Sequence, residues 1–472
     1  MRLLHDLTFA KMGFSGIPQE TRLLFNMFAG IPELIADGLL MEEGGALIPY
    51  SERFVRSIPS DLTSATCYMN DLINEAGPKN RWTRLHQLLS LWTRRRFSVS
   101  QLPTKLFKEL IWRNYFAKSL SAEKFSTIME QAFYATALTT RSLHDFAKLR
   151  KKVRLNAQHW DFVLLQDQNQ PRPLMVPASC QLLIRYYDAI PLINPDFTNH
   201  GTCEAHQLSL AVNSDDAFYV CISDSARKEL LSFKPELEER SATVLGILPQ
   251  GYQHQNNKER LEKFISARMS KKTLSESERN TVKKNISMGD MKYIASVSTL
   301  DIRKNYVNLI KAWEIFCAKY NLKVKLIIVA GVGGNGEEIV DLMKPHLLKG
   351  DIIHLENLST DELQLLYSHA EAMVFPSFAE GFGYTPLEAM QCECPTIISD
   401  LPVFREIMGE ASLYCDPYDV NSIAERIAEL IVVATAKQNR QTLIKKGLQQ
   451  VKRYQEDRIS ADWLNLFKQL KK

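Results

Sequence analysis

The chain has 472 residues, which is too long for one ordinary hydrophobic core and favours two or three domains. Hydrophobic residues make up 45% of the chain and charged residues 24%, a balance that is typical of a folded protein and excludes a disordered or fibrous one. The net charge of +4 is small for this length, so we expect no nucleic-acid partner.

The cysteines indicate whether the chain binds a metal, and the apolar runs indicate its cellular location. Eight cysteines are scattered along the chain, and the closest pair, Cys392 and Cys394, lies among ordinary apolar residues. Zinc sites need two such pairs or added histidines, so the pattern predicts free thiols in a reducing compartment and no metal. The first residues lack the apolar run of a secretory signal, and no stretch approaches the roughly 20 apolar residues that span a bilayer. We therefore expect a cytoplasmic protein.

The first half of the chain alternates short apolar runs with helical patterns, which is typical of a parallel sheet wrapped by helices. We predict strands at 2–6, 162–166, 182–187, 218–222 and 243–248. Between about residues 50 and 153 the pattern becomes mostly helical and basic for longer than a normal crossover connection, which predicts a helical insertion. Residues 1–252 are thus expected to form a Rossmann-like domain.

The second half begins with a polar stretch, 253–291, which predicts an interdomain linker with one exposed helix at 257–269. We then predict strands at 293–300, 324–332, 351–356, 372–376, 396–399 and 412–415, and helices at 306–320, 363–370 and 421–436. Ser359 and Glu362 form a capping box before the helix at 363–370. Residues 292–455 are expected to form a second doubly wound domain, and 456–472 to add a terminal helix that can pack on the first.

A glycine-rich turn follows the strand predicted at 372–376 and leads into a helix. Gly381 and Gly383 let the backbone approach a ligand, and the free N–H groups at the helix start can hold a diphosphate. Glu380 and Glu388 reach the same edge of the sheet, where carboxylates can accept hydrogen bonds from sugar hydroxyls. From the spacing alone, two acids that favour the helix dipole are an equally good interpretation.

Two adjacent cations, Arg303 and Lys304, follow the strand predicted at 293–300. A planar guanidinium and a compact ammonium suit a diphosphate that gains negative charge as a glycosidic bond breaks. A solvated loop is the alternative for any Arg-Lys pair. Their position at the end of a strand favours the phosphate interpretation.

The segment from Ala295 to about Glu429 resembles the carboxyl-terminal domain of the retaining GT-B glycosyltransferases of family 4. Its motifs occur in the order of that family: Ser298-Thr-Leu-Asp-Ile-Arg303-Lys304, Ile327-Ile-Val-Ala-Gly331, Leu358-Ser-Thr-Asp-Glu-Leu363, Pro376-Ser-Phe-Ala-Glu380-Gly-Phe-Gly383, Pro386-Leu-Glu388-Ala-Met390, Pro395-Thr-Ile-Ile-Ser-Asp400, Glu406-Ile-Met-Gly409 and Asp416-Pro-Tyr-Asp419. The resemblance implies an α/β protein of the GT-B fold, in which two doubly wound Rossmann-like domains face each other across a cleft and the N-terminal one carries the helical insertion.

The resemblance also implies roles for the residues at this edge. Glu380 contacts the donor hexose, Glu388 the nucleotide ribose, and Arg303 with Lys304 the diphosphate. The same motifs supply further donor-binding residues: Ser298, Gly381, Phe382, Gly383, Tyr384 and Thr385. Enzymes of this fold hold the diphosphate with cations and helix dipoles, so we expect no essential metal and no cofactor.

Weaker matches lie in the amino-terminal half, which the resemblance makes the acceptor side. Gly16, in the loop after the first strand, resembles the glycine that approaches the donor phosphates. The stretch 184–195 is similar to the R-x-H-D-x-x-P run of bacterial mannosyltransferases that build surface polysaccharides. It assigns Arg185 to donor binding and Asp188 to the catalytic group. Tyr187 stands where those enzymes have histidine, which argues against proton transfer at this position.

The predicted reaction is retaining transfer of a hexose from a nucleotide sugar to a glycan or lipid-linked acceptor, with mannose from GDP-mannose preferred. A UDP-sugar-dependent hexosyl or N-acetylhexosaminyl transferase stays open as an alternative, and so does a non-catalytic sugar-nucleotide-binding scaffold. The basic, tryptophan-bearing stretch 81–96 fits either peripheral contact with an anionic membrane, at the inner face of the plasma membrane, or a helix packed on its own domain.

Two further patterns suggest other ligands. Gly331 to Gly336 fits the dinucleotide fingerprint, with Glu356 about 20 residues later, but it follows the second strand of its domain rather than the first, so NAD is not expected. Asp215 and Asp216 form an acid pair that could bind a metal, for which the resemblance gives no need.

Overall fold

The computed structural model describes residues 1–13, 16–42, 69, 96–166, 170–213, 217–285, 291–331 and 336–471. The chain divides into two compact units: the first unit comprises Met1–Ile247 with Glu456–Lys472, and the second unit Leu248–Gln455. Several sequence patterns lie wholly or partly outside the described residues. They are residues 50–68 and 70–95 of the predicted insertion, the basic stretch 81–96 except its last residue, Asp215 with Asp216, and the glycine run between residues 332 and 335.

The first unit is built on a ten-stranded sheet within the described ranges. Its strands are β1 (Arg2–Asp6), β2 (Ile35–Glu42), β3 (Arg96–Gln101), β4 (Phe133–Thr139), β5 (Val153–Asn156), β6 (Phe162–Gln166), β7 (Leu174–Met175), β8 (Gln181–Tyr186), β9 (Ala217–Cys221) and β10 (Ser241–Thr243). Their order is β10-β9-β8-β6-β1-β2-β4-β3-β5-β7. Strands β3 and β4 pair antiparallel, whereas the central pairs are parallel, for example Leu3 with Phe162 and Leu4 with Val163.

The second unit is built on a six-stranded sheet. Its strands are β11 (Lys292–Val297), β12 (Val324–Val329), β13 (Ile352–Leu355), β14 (Ala372–Phe375), β15 (Thr396–Ser399) and β16 (Leu413–Cys415), in the order β13-β12-β11-β14-β15-β16. The described pairs are all parallel. Continuous apolar runs form these strands because both faces of a parallel sheet are covered by helices.

Helices cover both sheets. They are α1 (Ile17–Ala29), α2 (Lys108–Ile111), α3 (Phe125–Met129), α4 (Thr140–Lys148), α5 (Ile190–Ile193), α6 (His200–Asn213), α7 (Asp224–Phe233), α8 (Lys258–Arg268), α9 (Glu276–Asn285), α10 (Tyr306–Tyr320), α11 (Glu337–Lys349), α12 (Thr360–His369), α13 (Tyr384–Gln391), α14 (Pro402–Met408), α15 (Val420–Ile431), α16 (Ala436–Gln450) and α17 (Glu456–Leu470). In the part of the chain that the structure describes, no helix has the length and apolar character needed to cross a membrane.

The terminal helix α17 packs into the core of the first unit. Ile459, Trp463 and Phe467 recur at helical spacing and are fully buried. The rings of Trp463 and Phe28 lie 5.3 Å apart, and those of Phe467 and Phe162 lie 4.8 Å apart. Burying each such aromatic side chain contributes roughly 1.5–3 kcal/mol. The last helix of the chain is therefore part of the hydrophobic core of its first unit.

The described part of the predicted insertion contains strands as well as helices. Strands β3 and β4 lie within it, and β4 pairs with β2 inside the first sheet. In β3 the polar residues alternate with Phe97 and Val99, the period of a strand with one covered face, and Phe97 is buried. The sequence prediction missed this pattern because basic residues precede it.

The described part of the predicted linker is folded onto the second unit. Helix α8 and the residues after it bond to α12 and β13: Arg268 pairs with Glu362 at 2.9 Å, and the Ser270 hydroxyl donates to Glu356 at 2.7 Å. Main-chain Ser270 N also donates to His354 O at 2.9 Å. Residues 253–285 thus belong to the second unit rather than to an exposed link. The strand predicted at 243–248 ends at Thr243.

Candidate functional site

The loop after β11 brings the two predicted cations to the carboxyl edge of the second sheet. Asp301 begins a 3₁₀ turn, Ile302–Lys304, and its Oδ1 accepts a hydrogen bond from Arg303 N at 2.9 Å. Asn305 then takes a left-handed conformation with φ 61°, which asparagine tolerates better than most residues. The cap and the left-handed residue fix the direction in which the side chains of Arg303 and Lys304 leave the loop.

Asn305 ties three loops of this edge together. Its Nδ2 donates to Pro376 O at 2.9 Å and to Pro417 O at 2.7 Å, and the side chain is only 3% exposed. The loops after β11, β14 and β16 are therefore bonded to one another. The sequence prediction did not single out Asn305, although a local signal was present: an asparagine directly after the cation pair, beyond the end of a strand.

Arg303, Lys304 and Glu380 form one charge cluster. Lys304 Nζ lies 2.5 Å from Glu380 Oε1, and Arg303 Nη1 lies 3.2 Å from Glu380 Oε2. Arg303 also donates to Ala379 O at 2.7 Å. The side chains of Lys304 and Glu380 are only 12% and 10% exposed, so their attraction is weakly screened by water.

The cluster keeps Glu380 ionised. Burial by itself raises the pKa of a carboxyl group, but the neighbouring charges of Lys304 and Arg303 outweigh burial and hold the pKa of Glu380 below its ordinary value. Two cations face the carboxylate of Glu380, and the charge of Asp301 also acts on Lys304. Cations held in this way can form charge-assisted hydrogen bonds to an anionic ligand.

The glycine-rich turn joins Glu380 to helix α13. Gly383 has φ 97° and directly precedes the helix, and Phe382 packs against Tyr384 and Tyr454 with ring centroids 4.9 and 5.5 Å apart. A Cβ atom on Gly383 would lie 2.7 Å from Phe404 Cε1. The positive φ angle and the short distance to Phe404 both require glycine at this position. With glycine there, the N terminus of α13 can lie at the edge of the sheet that carries the charge cluster.

Gly383→Ala is expected to destabilise the second unit by about 3 kcal/mol, because it combines backbone strain with overpacking against Phe404. Gly251→Ala is the matched control, since Gly251 has φ 89° but no atom within 4 Å of the added Cβ. At Gly251 the backbone strain alone should lower the free energy of unfolding by about 1–2 kcal/mol. The free energy of unfolding in denaturant measures both changes, and equal losses would contradict the close packing at Gly383.

Glu388 lies on α13 and is 6% exposed. Burial, followed by the negative charge of Glu388, raises the pKa of Tyr367 well above its ordinary value, and the same two causes raise that of Tyr252. The carboxylate therefore lies close to two buried phenols in the second unit. Tyr384 and Thr385, in the first turn of the same helix, are partly exposed.

Ser298 directly follows β11. Its hydroxyl and that of Tyr306 are 2.7 Å apart, and Ser298 N donates to Val329 O at 3.0 Å. The predicted site residues of the second unit thus lie on two segments that follow neighbouring strands of its sheet: Ser298, Arg303 and Lys304 after β11, and Glu380, Gly381, Phe382, Gly383, Tyr384, Thr385 and Glu388 after β14.

The remaining predicted site residues, Gly16, Arg185 and Asp188, belong to the first unit. Gly16 precedes α1 with φ 67°, and no atom lies within 4 Å of an added Cβ, so the backbone there is open to close approach. Asp188 Oδ1 accepts a hydrogen bond from Ile190 N at 3.1 Å. Nearby, burial and then the charge of Asp188 raise the pKa of Glu229 to about 7, although a hydrogen bond from Ala189 N opposes the shift.

Arg185 lies inside the first unit, whereas the sequence predicted that it binds the donor. Its side chain is fully buried, with Nη2 2.7 Å from Glu20 Oε1 and Nη1 donating to Val244 O at 2.6 Å. The guanidinium also lies over the ring of Trp463 at 5.6 Å. Because the charge is neutralised by Glu20 and the side chain has no exposed surface, the donor-binding prediction for Arg185 is corrected to an internal ion pair.

Tyr187 is held inside a polar network that the sequence prediction did not foresee. Its hydroxyl donates to Gln166 Oε1 at 2.5 Å, and the Thr21 hydroxyl donates to the same oxygen at 2.9 Å. Gln166 Nε2 lies 2.7 Å from His5 Nε2. Burial lowers the pKa of His5 to about 3, so His5 is neutral at physiological pH. Tyr187 therefore joins β1, β6 and β8 at their carboxyl ends.

Possible metal ligands are dispersed in the described residues. Those residues contain no group of three or more His, Cys, Asp or Glu side chains arranged to hold a metal ion. Cys392 and Cys394 are free and buried thiols. Glu356, which completed the dinucleotide pattern, accepts a hydrogen bond from Ser270 and lies 3.6 Å from Lys272 Nζ.

Comparison with known families identifies the segment that carries this edge. Residues 277–450 match the family described as glycosyl transferases group 1. We refer to residues 277–450, less than half of the chain, as the group 1 segment. The group 1 segment contains the charge cluster, the glycine-rich turn and Glu388, so the residues brought together by the fold all lie within it.

Curated relatives align with parts of the chain. The O-antigen chain mannosyltransferase B of Escherichia coli is 29% identical over 184 residues, or 38% of this chain and 46% of the relative. The O-antigen chain mannosyltransferase RfbU of Salmonella typhimurium is 37% identical over 130 residues, or 28% of this chain and 36% of the relative. The chain thus spans less than half the length of these relatives.

Solved structures align with nearly the whole chain. A sucrose-phosphate synthase from Thermosynechococcus elongatus gives a TM-score of 0.55 at 14% identity, covering 99% of this chain and 98% of its own. Anabaena Alr3699/HepE, in complex with UDP and glucose, gives 0.56 at 12% identity, covering 99% and 100%. At such low identity the likeness shows the fold alone, and it confirms the predicted GT-B fold of two Rossmann-like domains.

Proposed function

We propose that the chain transfers a hexose from a nucleoside diphosphate sugar to a glycan or lipid-linked acceptor in polysaccharide synthesis. The observation that carries this proposal is the charge cluster at the edge of the second sheet. Arg303 and Lys304 converge on the Glu380 carboxylate, with distances of 3.2 and 2.5 Å, next to a glycine-rich turn and a helix N terminus. Such a constellation binds an anionic diphosphate and places a carboxylate beside it.

The two cations act on the leaving group. As the glycosidic bond breaks, negative charge grows on the diphosphate, and Arg303 and Lys304 stabilise that charge without reorganisation because Glu380 already holds them in place. The departing phosphate accepts the proton of the acceptor hydroxyl. The chain thus supplies its own positive charge for this step, and the proposed reaction needs no metal and no cofactor.

The glutamates bind the two ends of the donor. Glu380 accepts hydrogen bonds from hydroxyls of the hexose, while Glu388, on α13, accepts them from the nucleotide ribose. For the first unit, the resemblance to family 4 is the basis on which we keep Asp188 as a candidate catalytic residue and Gly16 as a candidate donor-binding residue. Transfer with retention of configuration is the stereochemical outcome that we propose from the resemblance to family 4.

Mannose from GDP-mannose is the proposed donor. The similarity to two O-antigen chain mannosyltransferases supports mannose. A UDP-sugar donor is the second candidate, and the complex of the structurally similar Anabaena protein with UDP and glucose favours it. A scaffold without catalysis is the alternative of another class. The intact cluster of Arg303, Lys304 and Glu380 argues against it.

The choice of donor is tested by thermal unfolding of the purified chain with GDP, UDP, ADP and their sugars. A ligand that binds the folded state raises stability by RT ln(1 + [L]/Kd), or about 2.7 kcal/mol at a hundredfold excess over Kd. We expect GDP and GDP-mannose to raise the Tm more than the other ligands. A larger shift with UDP would select the second donor class, and no shift with any nucleotide would contradict the proposed function.

A further inference from the structure

A buried arginine of α1 holds the loop that follows β1. The loop begins as a 3₁₀ turn, Thr8–Lys11, and the carbonyl groups at the end of such a turn have no partner inside it. Arg22 is fully buried, and its Nε donates to Ala10 O at 2.8 Å. Its Nη2 donates to Gly13 O at 2.5 Å and also to Met12 O. One guanidinium thus fixes three backbone positions of this loop.

The same loop is bonded to the region that the sequence predicted as an insertion. Arg22 Nε also donates to Tyr115 O at 3.0 Å, and Arg22 Nη1 donates to Ser119 Oγ at 2.5 Å. Lys118 Nζ donates to Lys11 O at 2.7 Å. Two cationic side chains therefore bond to four consecutive carbonyl groups of the loop, and the insertion supplies one of them.

Arg22 differs from the other fully buried arginines of the first unit. Arg185 faces Glu20 at 2.7 Å, and Arg172 lies 3.4 Å from Asp6. Within the described ranges, the partners of Arg22 are carbonyl groups and one hydroxyl, with no carboxylate among them. Burial lowers the pKa of Arg22 to about 10, which leaves it charged at physiological pH. Because a buried charge without an opposite charge costs stability, its presence indicates a role beyond packing.

The charge of Arg22 acts on the loop together with two lysines. Burial, followed by the positive charges of Arg22 and Lys11, lowers the pKa of Lys118. Like charges held together in this way are stabilised when an anion approaches them. Met12 and Gly13 are exposed on the loop that these cations hold. The loop therefore favours a negatively charged group on its exposed side.

The loop leads into the glycine that begins α1. Gly16 follows Gly13 by three positions and precedes the helix to which Arg22 belongs. In the sheet, β1 lies between β6 and β2, and ligands of doubly wound sheets bind where the chain connections diverge to the two sides, at the carboxyl ends of the strands. Arg22 thus ties the helix that Gly16 begins to the loop that comes before it.

We propose that Arg22 is a positioning residue for donor cleavage. With Lys118, it fixes the loop Ala10–Gly13, so that the backbone at Gly16 meets the donor diphosphate in one geometry. Its charge, which no carboxylate neutralises, also favours the negative charge that grows on the leaving diphosphate. This inference rests on the proposed function, in which Gly16 is a candidate donor-binding residue. It gives the described part of the insertion a supporting role in catalysis.

The test measures release of GDP from GDP-mannose by the full chain, or of UDP from UDP-glucose if the wild type cleaves that donor instead. Arg22→Met keeps an apolar side chain but removes the charge and the donors. It should lower kcat by about 10- to 100-fold well below its Tm, the usual cost of a small misplacement. Arg22→Lys keeps the charge and three donors, so its kcat should lie between those of the wild type and Arg22→Met.

Nucleotide binding separates positioning from a loss of the donor site. The Kd for GDP, or for UDP with the second donor, should change by less than about threefold in Arg22→Met, because Arg303 and Lys304 belong to the second unit. Phe467→Leu is the control for stability, since it weakens the core of the first unit through α17 and leaves the bonds of the loop intact. It should lower the Tm and keep the wild-type kcat.

A second pair of variants tests the insertion. Lys118→Met removes one bond to the loop and should lower kcat less than Arg22→Met does. Lys234→Met is its matched control, because Lys234 is a partly buried lysine of the same unit that pairs with Glu236. It should keep the wild-type kcat.

The proposal is overturned if folded Arg22→Met keeps the wild-type kcat and loses only stability, or if Phe467→Leu loses as much kcat. Should Arg22→Met fail to fold, wild-type kcat in both Arg22→Lys and Lys118→Met overturns it. A wild type that neither binds a nucleotide nor cleaves a donor contradicts the proposed function itself. Donor cleavage that is equally fast in the wild type and the folded Arg22 variants overturns only the role of Arg22.

Discussion

Replacement of Lys304 by alanine is expected to lower the rate of donor cleavage by about 10²- to 10³-fold, the usual cost of removing one preorganised group that stabilises developing charge. The ammonium is only 12% exposed and lies 2.5 Å from Glu380, so water cannot replace it without rearrangement of the cluster. The effect should fall mainly on kcat, because the diphosphate gains charge as the bond breaks.

Lys325→Ala is the control for the Lys304 variant. Lys325 belongs to β12 of the same unit, is partly buried and pairs with Asp351 at 3.0 Å, but it has no contact with the charge cluster among the described residues. It should retain the wild-type rate. Steady-state kinetics with saturating donor measure both variants. A wild-type rate for Lys304→Ala, or an equal loss of rate for Lys325→Ala, would contradict a catalytic role for Lys304.

Arg185→Ala is expected to destabilise the first unit by about 3–5 kcal/mol, since it leaves the Glu20 carboxylate buried without its partner. Both side chains of this pair have no exposed surface, and the guanidinium also bonds to the carbonyl of Val244. Replacing both charges in the double variant Glu20→Leu/Arg185→Met should cost less than Arg185→Ala alone, because no buried charge is left unpaired.

The exposed pair Arg227–Glu238 is the matched control for Arg185. Its atoms are 2.7 Å apart, the same distance as in the Arg185–Glu20 pair, but the two side chains are 26% and 65% exposed. Arg227→Ala should therefore cost about 1 kcal/mol or less. If Arg185→Ala and Arg227→Ala lowered the free energy of unfolding in denaturant equally, the buried position of the Arg185–Glu20 pair would be contradicted. If the folded double variant Glu20→Leu/Arg185→Met lost nucleotide binding, the predicted role of Arg185 in donor binding would be supported instead.

The sequence predicted the second unit well because its signals are local. The strands at Ile352–Leu355 and Thr396–Ser399 are uninterrupted apolar runs, as strands buried on both faces must be. The capping box at Ser359 and Glu362 is present with both of its hydrogen bonds. The cluster of Arg303, Lys304 and Glu380 followed from the rule that the carboxyl ends of parallel strands meet at one edge.

The first unit could not be predicted to the same depth because its decisive contacts are distant in sequence. The partner of Arg185 is Glu20, 165 positions away in the sequence. No local sequence pattern indicates that two such distant residues form a buried ion pair. The described strand β3 is short and follows basic residues, so its alternation was read as part of a helix. The helix α8 looked like an exposed linker because its stabilising partners, such as Glu362, come from another element.

Tyr418 shows a different limit of sequence reasoning. It lies in the Asp416-Pro-Tyr-Asp419 motif, which indicated family resemblance but no role for the tyrosine itself. Its exposure and its stacking on Phe378 depend on the loops after β14 and β16 being bonded together by Asn305. Such an arrangement exists only in the folded unit, so the stacking of Phe378 on Tyr418 could not be inferred from spacing.

Release of GDP from GDP-mannose by the purified chain, in the presence of EDTA, tests the central claim most directly. The structure predicts slow release by the wild type, and almost none by Lys304→Ala and Glu388→Ala, because the first lacks the charge that stabilises the leaving diphosphate and the second lacks the carboxylate assigned to the ribose. Release from a UDP-sugar instead would change the donor and keep the mechanism. Absence of release from every nucleotide sugar, or equal release by all three proteins, would contradict the assignment of this edge as a glycosyl-transfer site.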